Sequence, residues 1–225
     1  MKTFLNKLRR VKLGSTIALL LLTAIWSIPT VGLLITSLRR RDQAETSPWW
    51  DVFIDPVNQA WSIDAYSNSL ETGMLDSLVN TLVVTIPSVI LPLIIAANAA
   101  FAFTFIEFKG REIYFAILVG LMIIPLQSAL IPVLRGMVAF QKATGLQLTG
   151  NYPSAWIIHA AFAMPLAIYI LRNYMLSLPV SLLEAARVDG ASYYQIFWRL
   201  VMPMSVPALA SFAIFQFLWV WNDYL

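Results

Sequence analysis

Long uncharged apolar runs alternate with short polar stretches along the 225 residues of the chain. A helix that crosses a bilayer needs about 20 mostly apolar residues, and five segments meet or nearly meet that length: 14–38, 77–106, 113–134, 154–171 and 207–225. The fourth is short; the second is long enough to tilt or overhang. The pattern predicts an all-α fold, a polytopic transmembrane helix bundle. It divides the chain into a polar N-terminal segment (1–13), a first span (14–38), a polar loop (39–76) and a bundle (77–225) whose longest inner connection is 172–206. No polar tail follows Leu225, which leads us to expect a sixth span beyond it.

Composition agrees. Charged residues make up 12% of the chain, where a soluble domain carries about 25%. There is no cysteine, which excludes disulfides, thiolate nucleophiles and cysteine metal sites. The first apolar run follows Lys2, Lys7, Arg9, Arg10 and Lys12, as a signal peptide would, but it is too long for a signal h-region and ends in Arg39-Arg40-Arg41. It reads as a retained anchor.

Basic residues set the expected orientation. With the N-terminus cytoplasmic, the inner segments hold 10 of the 15 Lys and Arg and carry a net +6, against −3 outside. Arg39–Arg41, on the outer side, is the one local violation. Trp49, Trp50, Trp61 and Tyr66 in the first outer loop, and Trp219, Trp221 and Tyr224 at the outer end of the last span, fit interfacial belts.

Pro29, Pro87, Pro92, Pro125, Pro132 and Pro165 lie inside the proposed spans. Each removes a backbone donor, and the freed carbonyls must be satisfied by neighbouring helices, side chains or water. Spans one to four contain no Asp, Glu, Lys or Arg, which argues against ion coupling within the bundle. His159 is the one titratable group deep in a span, open to reading as a packing residue or a solute ligand. Asn80, Asn98, Gln127, Ser128 and Gln216 either line a path for a hydroxyl-rich solute or bond helix to helix. No paired carboxylates, metal cluster or nucleophile–base set appears, so no catalytic residue is assigned.

The inner connection carries the most specific signal. Ser181-Leu-Leu-Glu184 and Ser192-Tyr-Tyr-Gln195 are both capping-box patterns, and Gly190 between them suits a left-handed helix end. Two short helices are predicted to meet at Gly190, the second stopping before Pro203. Leu182, Leu183, Tyr193, Tyr194 and Phe197 offer more apolar surface than so short a loop buries alone. A groove on a partner would cover it; the alternative is a helix pair lying on lipid headgroups.

At these residues the chain resembles the membrane permeases of binding-protein-dependent ABC importers. Their EAA signature is Glu-Ala-Ala, three residues, Gly, nine residues, then Ile-x-Leu-Pro. Here Glu184-Ala185-Ala186 and Gly190 match, and Leu200-Val201-Met202-Pro203 replaces Ile and Leu by other apolar residues. Leu171-Arg172-Asn173-Tyr174, Leu178-Pro179, Asp189-Gly190-Ala191-Ser192 and Trp221-Asn222-Asp223 are similar to the carbohydrate branch, in its MalG-like half. Arg41-Asp42-Gln43 and Trp49-Trp50 are similar to α-glucoside importers.

The resemblance implies about six helices, five of them forming the pathway, in a cell inner membrane. It implies three kinds of protein partner: a second, paralogous permease, a cytoplasmic ABC ATPase dimer and an extracytoplasmic sugar-binding protein. Membrane lipid surrounds the chain, and no nucleic acid is involved. The sequence has no G-x-x-x-x-G-K-[ST] loop, so no cofactor is assigned to this chain, and ATP and Mg belong to the partner ATPase. ATPase coupling falls to Glu184, Ala185, Ala186, Arg187, Asp189 and Gly190. Two roles are open to Glu184: capping its own helix, or pairing with a basic residue of the ATPase as well. Candidates along the solute pathway are Trp219, Trp221, Asn222, Gln127 and His159, with Asp223 expected to face water or a partner. A permease for another solute, a non-transporting scaffold for an ATPase and an ion-coupled carrier are the competing readings.

Overall fold

The computed structural model describes residues 13–223; the N-terminal basic residues and Tyr224 lie outside the described residues. Every regular element described is helical, with one isolated antiparallel bridge, Arg39–Trp61. The chain divides into two compact units, Met1–Ser77 and Leu78–Leu225.

The first unit contains α1 (Leu13–Ser37), α2 (Arg41–Thr46), α3 (Asp51–Ile54) and α4 (Asp64–Glu71). Two hydroxyls in the middle of α1 are satisfied inside the helix: Thr23 donates to the Leu19 carbonyl at 2.8 Å and Ser27 to that of Thr23 at 2.7 Å. That is the arrangement an apolar solvent demands. Beyond α1 the chain doubles back on itself, with Arg40 N–H donating to Ala60 O and Ser62 N–H to Leu38 O, both at 2.9 Å.

This small fold gives Arg39, Arg40 and Arg41 local partners. Arg39 is 2% exposed and donates to the Ser47 and Pro48 carbonyls at 3.1 and 3.0 Å. Arg40 pairs with Asp42, whose carboxyl is held down at about 2, chiefly by that hydrogen bond. Arg41 pairs with Glu45 at 2.8 Å. All three side chains serve local structure.

The second unit is built on α5 (Met74–Phe105), α6 (Arg111–Leu121), α7 (Leu126–Thr144), α8 (Tyr152–Leu176), α9 (Val180–Val188), α10 (Tyr193–Ile196) and α11 (Met202–Trp221). Helices α5 and α8 run parallel: Tyr152 O–H donates to Asn80 Oδ1 at 2.7 Å near one end, and Arg172 reaches the Phe103 carbonyl near the other. Helix α11 runs antiparallel to α8, with His159 beside Asp223 and Tyr174 O–H donating to Met204 O at 3.0 Å. Where the three meet, the buried residues are mostly small: Ala96, Ala97 and Ala100, Ala163 and Ala167, and Ala208. Between α8 and α11 small side chains let the backbones approach closely, which is how helices associate when lipid is as apolar as their side chains.

Pro87 shows how a proline is tolerated. It cannot donate to the Val83 carbonyl one turn earlier; the Trp156 indole N–H does so instead, at 2.9 Å from across the α5–α8 contact. Trp156→Phe keeps an aromatic ring but orphans that carbonyl. The expected cost is about 1–3 kcal/mol, read as a lower unfolding midpoint in detergent or nanodiscs.

Two expectations are corrected. The third predicted span is not one straight helix. It divides into α6 and α7, which meet at 103°. At 11 residues, α6 is about 16 Å long, short of the roughly 30 Å hydrocarbon core. Pro125, extended at φ −66° and ψ 131°, caps α7 and disfavours helix in the residue before it. Among the described residues four other helices are long and apolar enough to cross a membrane, and the bent pair brings the number to as many as five.

The last span likewise does not begin at Pro207. Helical structure runs unbroken over Tyr193–Trp221, 29 residues, through a π-helical turn at Phe197–Val201. There Met202 N–H donates to the Phe197 carbonyl. The wider turn carries the helix past Pro203, which would otherwise clash with the carbonyl one turn back.

Candidate coupling elbow and pathway residues

The elbow begins where α8 ends. Ser177 N–H donates to Tyr174 O at 2.9 Å and Leu178 N–H to Met175 O at 3.2 Å. Pro179, at φ −61° and ψ 112°, then caps α9. The capping box expected at Ser181 does not form. Proline's fixed φ starts the helix at Val180, which puts Ser181 inside the first turn, where its hydroxyl can no longer serve as the cap.

At the other end of α9 the reading from sequence matches the backbone. Gly190 sits at φ +79°. Ala191 N–H donates to Ala186 O at 2.9 Å and Gly190 N–H to Arg187 O at 3.0 Å, the paired bonds of a Schellman ending. The second capping box is complete: Gln195 N–H donates to Ser192 Oγ at 3.3 Å and Ser192 N–H to Gln195 Oε1 at 2.8 Å.

Side chains of the elbow divide by face. Leu183, Ile196 and Phe197 turn inward and join the core with Ala97, Ala100 and Phe101; Phe197 meets Phe101 edge-on at 5.2 Å between ring centroids. The expectation that Leu183 and Phe197 need a partner to cover them is therefore corrected. What stays outside is Leu182, Tyr193, Tyr194 at 73% exposure and Val188 at 87%. Val188 carried no sequence signal beyond its apolarity. Glu184, Ala185 and Asp189 are exposed, and Ala186 is half-buried against the core. The Glu184 side chain makes no hydrogen bond or ion pair among the described residues.

Arg187 is exposed like Glu184 but is tied back to α5. Its Nη2 donates to the Phe105 carbonyl at 3.3 Å, and its guanidinium lies 5.3 Å from the Tyr193 ring centroid. It is one of three arginines gathered on the end of α5. Arg172 donates to Phe103 O at 3.4 Å and Arg111 to Ile106 O at 3.5 Å. The last carbonyls of a helix lack intrahelical donors and carry its negative pole. Arg172 also stands 4.0 Å over the Phe115 ring and reaches both Glu112 oxygens at 3.3 Å. The sequence showed neither the Arg172 nor the Arg187 contact with α5, because the acceptors are backbone atoms 69 and 82 residues away.

The pathway candidates are only partly brought together. His159 Nδ1 lies 3.8 Å from Asp223 Oδ2, with the two side chains 20% and 14% exposed. Asp223 is thus tucked against α8; of the two expected environments, water or a partner, it is largely withdrawn from water. Asn222 donates to its own helix at Leu218 O, 2.7 Å away. Trp219 packs on Phe215 and Trp221 stacks on Phe217 at 5.4 Å, both rings partly exposed. Gln127 stands exposed in the first turn of α7, with no hydrogen bond to the others among the described residues. Asn80 bonds helix to helix, whereas Asn98 and Ser128 bond back to their own segments.

Residues 72–225 match the model of the family described as "Binding-protein-dependent transport system inner membrane component". The osmoprotective compounds uptake permease protein GgtD of Synechocystis is 44% identical over 95% of this chain and 70% of its own length. The α-glucoside transport system permease protein AglG of Rhizobium meliloti is 32% identical over 93% of this chain and 79% of its own. A crystal structure of a bacterial ABC transporter involved in the import of the acidic polysaccharide alginate superposes with a TM-score of 0.75 at 26% identity. It covers 96% of this chain and 72% of the other. An all-helical, multi-pass chain with this match belongs to the binding-protein-dependent transport family of inner-membrane components, as a permease of an ABC importer.

Proposed function

We propose that this permease moves a sugar or oligosaccharide, and that a cytoplasmic ATPase pair works it through the Glu184–Gly190 elbow. One observation carries the coupling reading. Glu184, Ala185, Val188 and Tyr194 stand exposed on a turn whose other face is wedged into the α5–α8–α11 core. A hand on that turn would move three helices: α8 through the short Pro179 link, α5 through Arg187 and α11 through the unbroken helix. In this scheme ATP and Mg bind the ATPase, whose closure pulls the elbow. Any differential contact energy between the two ATPase states biases the bundle by the same amount. A second permease would complete the pathway, and an extracytoplasmic receptor would deliver the solute. This orientation places the N-terminus in the cytoplasm.

Sugar as the solute is supported by the relatives named for α-glucosides, diacetylchitobiose and arabinooligosaccharides. Trp219 and Trp221, with Asn222, His159 and Asp223 at the same end of α8 and α11, could provide ring faces and hydrogen bonds for a hydroxyl-rich ligand. The 44% identical relative favours a second reading, an osmoprotective solute. The assembled importer in proteoliposomes, with its receptor, distinguishes them. ATP-driven uptake of a labelled α-glucoside, resisted by excess unlabelled glucoside and insensitive to proton or sodium gradients, is the expected result. Uptake of a labelled osmoprotectant with no α-glucoside transport favours the second reading; uptake driven by an ion gradient without ATP overturns both.

A further inference from the structure

We propose that the segment 49–57 is a membrane-interface anchor, with Trp49 seated on the end of α1 and Trp50, Phe53, Ile54 and Val57 entering the headgroup–acyl boundary of the bilayer. Helix α1 has 25 residues, about 37 Å, enough to span a roughly 30 Å hydrocarbon core with about one turn to spare. Gly32 lies five residues before its end, about 7.5 Å back along the axis. A Cβ there would fall 2.8 Å from the Trp49 indole nitrogen, so the ring lies directly against the helix backbone at that depth.

The segment is fixed from two sides. Arg39, at the end of α1, holds the Ser47 and Pro48 carbonyls, while Trp49 contacts Trp50 and Phe53 edge-on at 5.8 and 6.2 Å between centroids. Held in this way, Phe53, Ile54 and Val57 are 69%, 75% and 89% exposed. Adjoining residues so apolar and so bare mark a contact surface. The occupant is argued by continuity, because Leu33 and Leu34 on the same turns of α1 are also exposed on a helix that crosses the membrane. Residues 49–63 include Asp51 and Asp55 but no Lys or Arg. Attachment therefore rests on apolar burial and interfacial tryptophan, without attraction to anionic lipid.

The absence of cysteine makes the test direct. Ile54→Cys and Val57→Cys, with Glu45→Cys as the comparison, are spin-labelled in the assembled importer in zwitterionic nanodiscs, the unsubstituted complex giving the background. Collision with oxygen is then compared with collision with a water-soluble nickel chelate. Labels at 54 and 57 should show an oxygen-to-nickel ratio several-fold above that at 45, unchanged when anionic lipid is added. Equal ratios would place the segment in water, and low collision with both reagents would place it under protein. Either result overturns the proposal, whatever the outcome for solute or coupling.

Discussion

Gly190→Val is expected to leave the importer assembled but to reduce receptor-stimulated ATP hydrolysis and uptake by about an order of magnitude. Residue 190 sits at φ +79°, where a Cβ costs roughly 1–2 kcal/mol and a β-branched side chain more. A Cβ at 190 would meet nothing within 4 Å, so the penalty comes from the backbone alone. The chain can escape only by opening the Schellman bonds to Ala186 and Arg187, which swings α9 relative to α10. A few kcal/mol corresponds to a factor of roughly 5–30 or more in the population of the native elbow. The comparison variant is Gly190→Asn, since asparagine tolerates the left-handed region better, and it should recover much of the activity. Normal stimulation in the valine variant would show that the elbow transmits nothing.

Glu184→Ala is expected to separate coupling from folding. A capping role would make this substitution cost about 1 kcal/mol of stability. With Pro179 starting the helix, however, the Glu184 carboxylate is exposed and has no partner within the described residues. Its removal should change stability by no more than about 0.5 kcal/mol while weakening retention of the ATPase several-fold on affinity purification. A charge-assisted contact to a basic residue across the interface is worth about 1.5–3 kcal/mol. High salt should weaken the native contact in the same direction. A variant that melts early but still retains its ATPase would return Glu184 to a purely local role.

What the sequence could reveal followed from how local each signal is. Four long helices were legible because a run of apolar residues reports its own solvent. Gly190 and the Ser192–Gln195 box were legible because their partners lie within five residues. The failed box at Ser181 was also local, and Pro179 outcompeted it for the start of the helix. The break between α6 and α7 was harder, because Pro125 breaks its helix whereas Pro87 and Pro92 stay inside α5. Flanking residues do not separate these cases; for Pro87 it is the Trp156 indole on another helix that replaces the lost donor. The backbone contacts of Arg172 and Arg187 were hidden for the same reason, since the carbonyls they serve lie on another helix. In the candidate site, Leu183 and Phe197 looked like docking residues because the loop seemed isolated. Continuing the helix through Pro203 gave them a core of their own.

A separate ATP-hydrolysing subunit is expected to grip the exposed face of this elbow. Ala185 lies on that face and Ala186 is half-buried beside it, so the two positions are a matched pair. With Ala185→Cys in this cysteine-free chain, a short thiol–amine crosslinker should join it to the ATPase in native membranes, with a yield that changes when ATP is bound, while Ala186→Cys reacts weakly. If Ala185→Cys is captured only by lipid-soluble reagents and never by a neighbouring protein, in either nucleotide state, the elbow is not the handle and the coupling account fails.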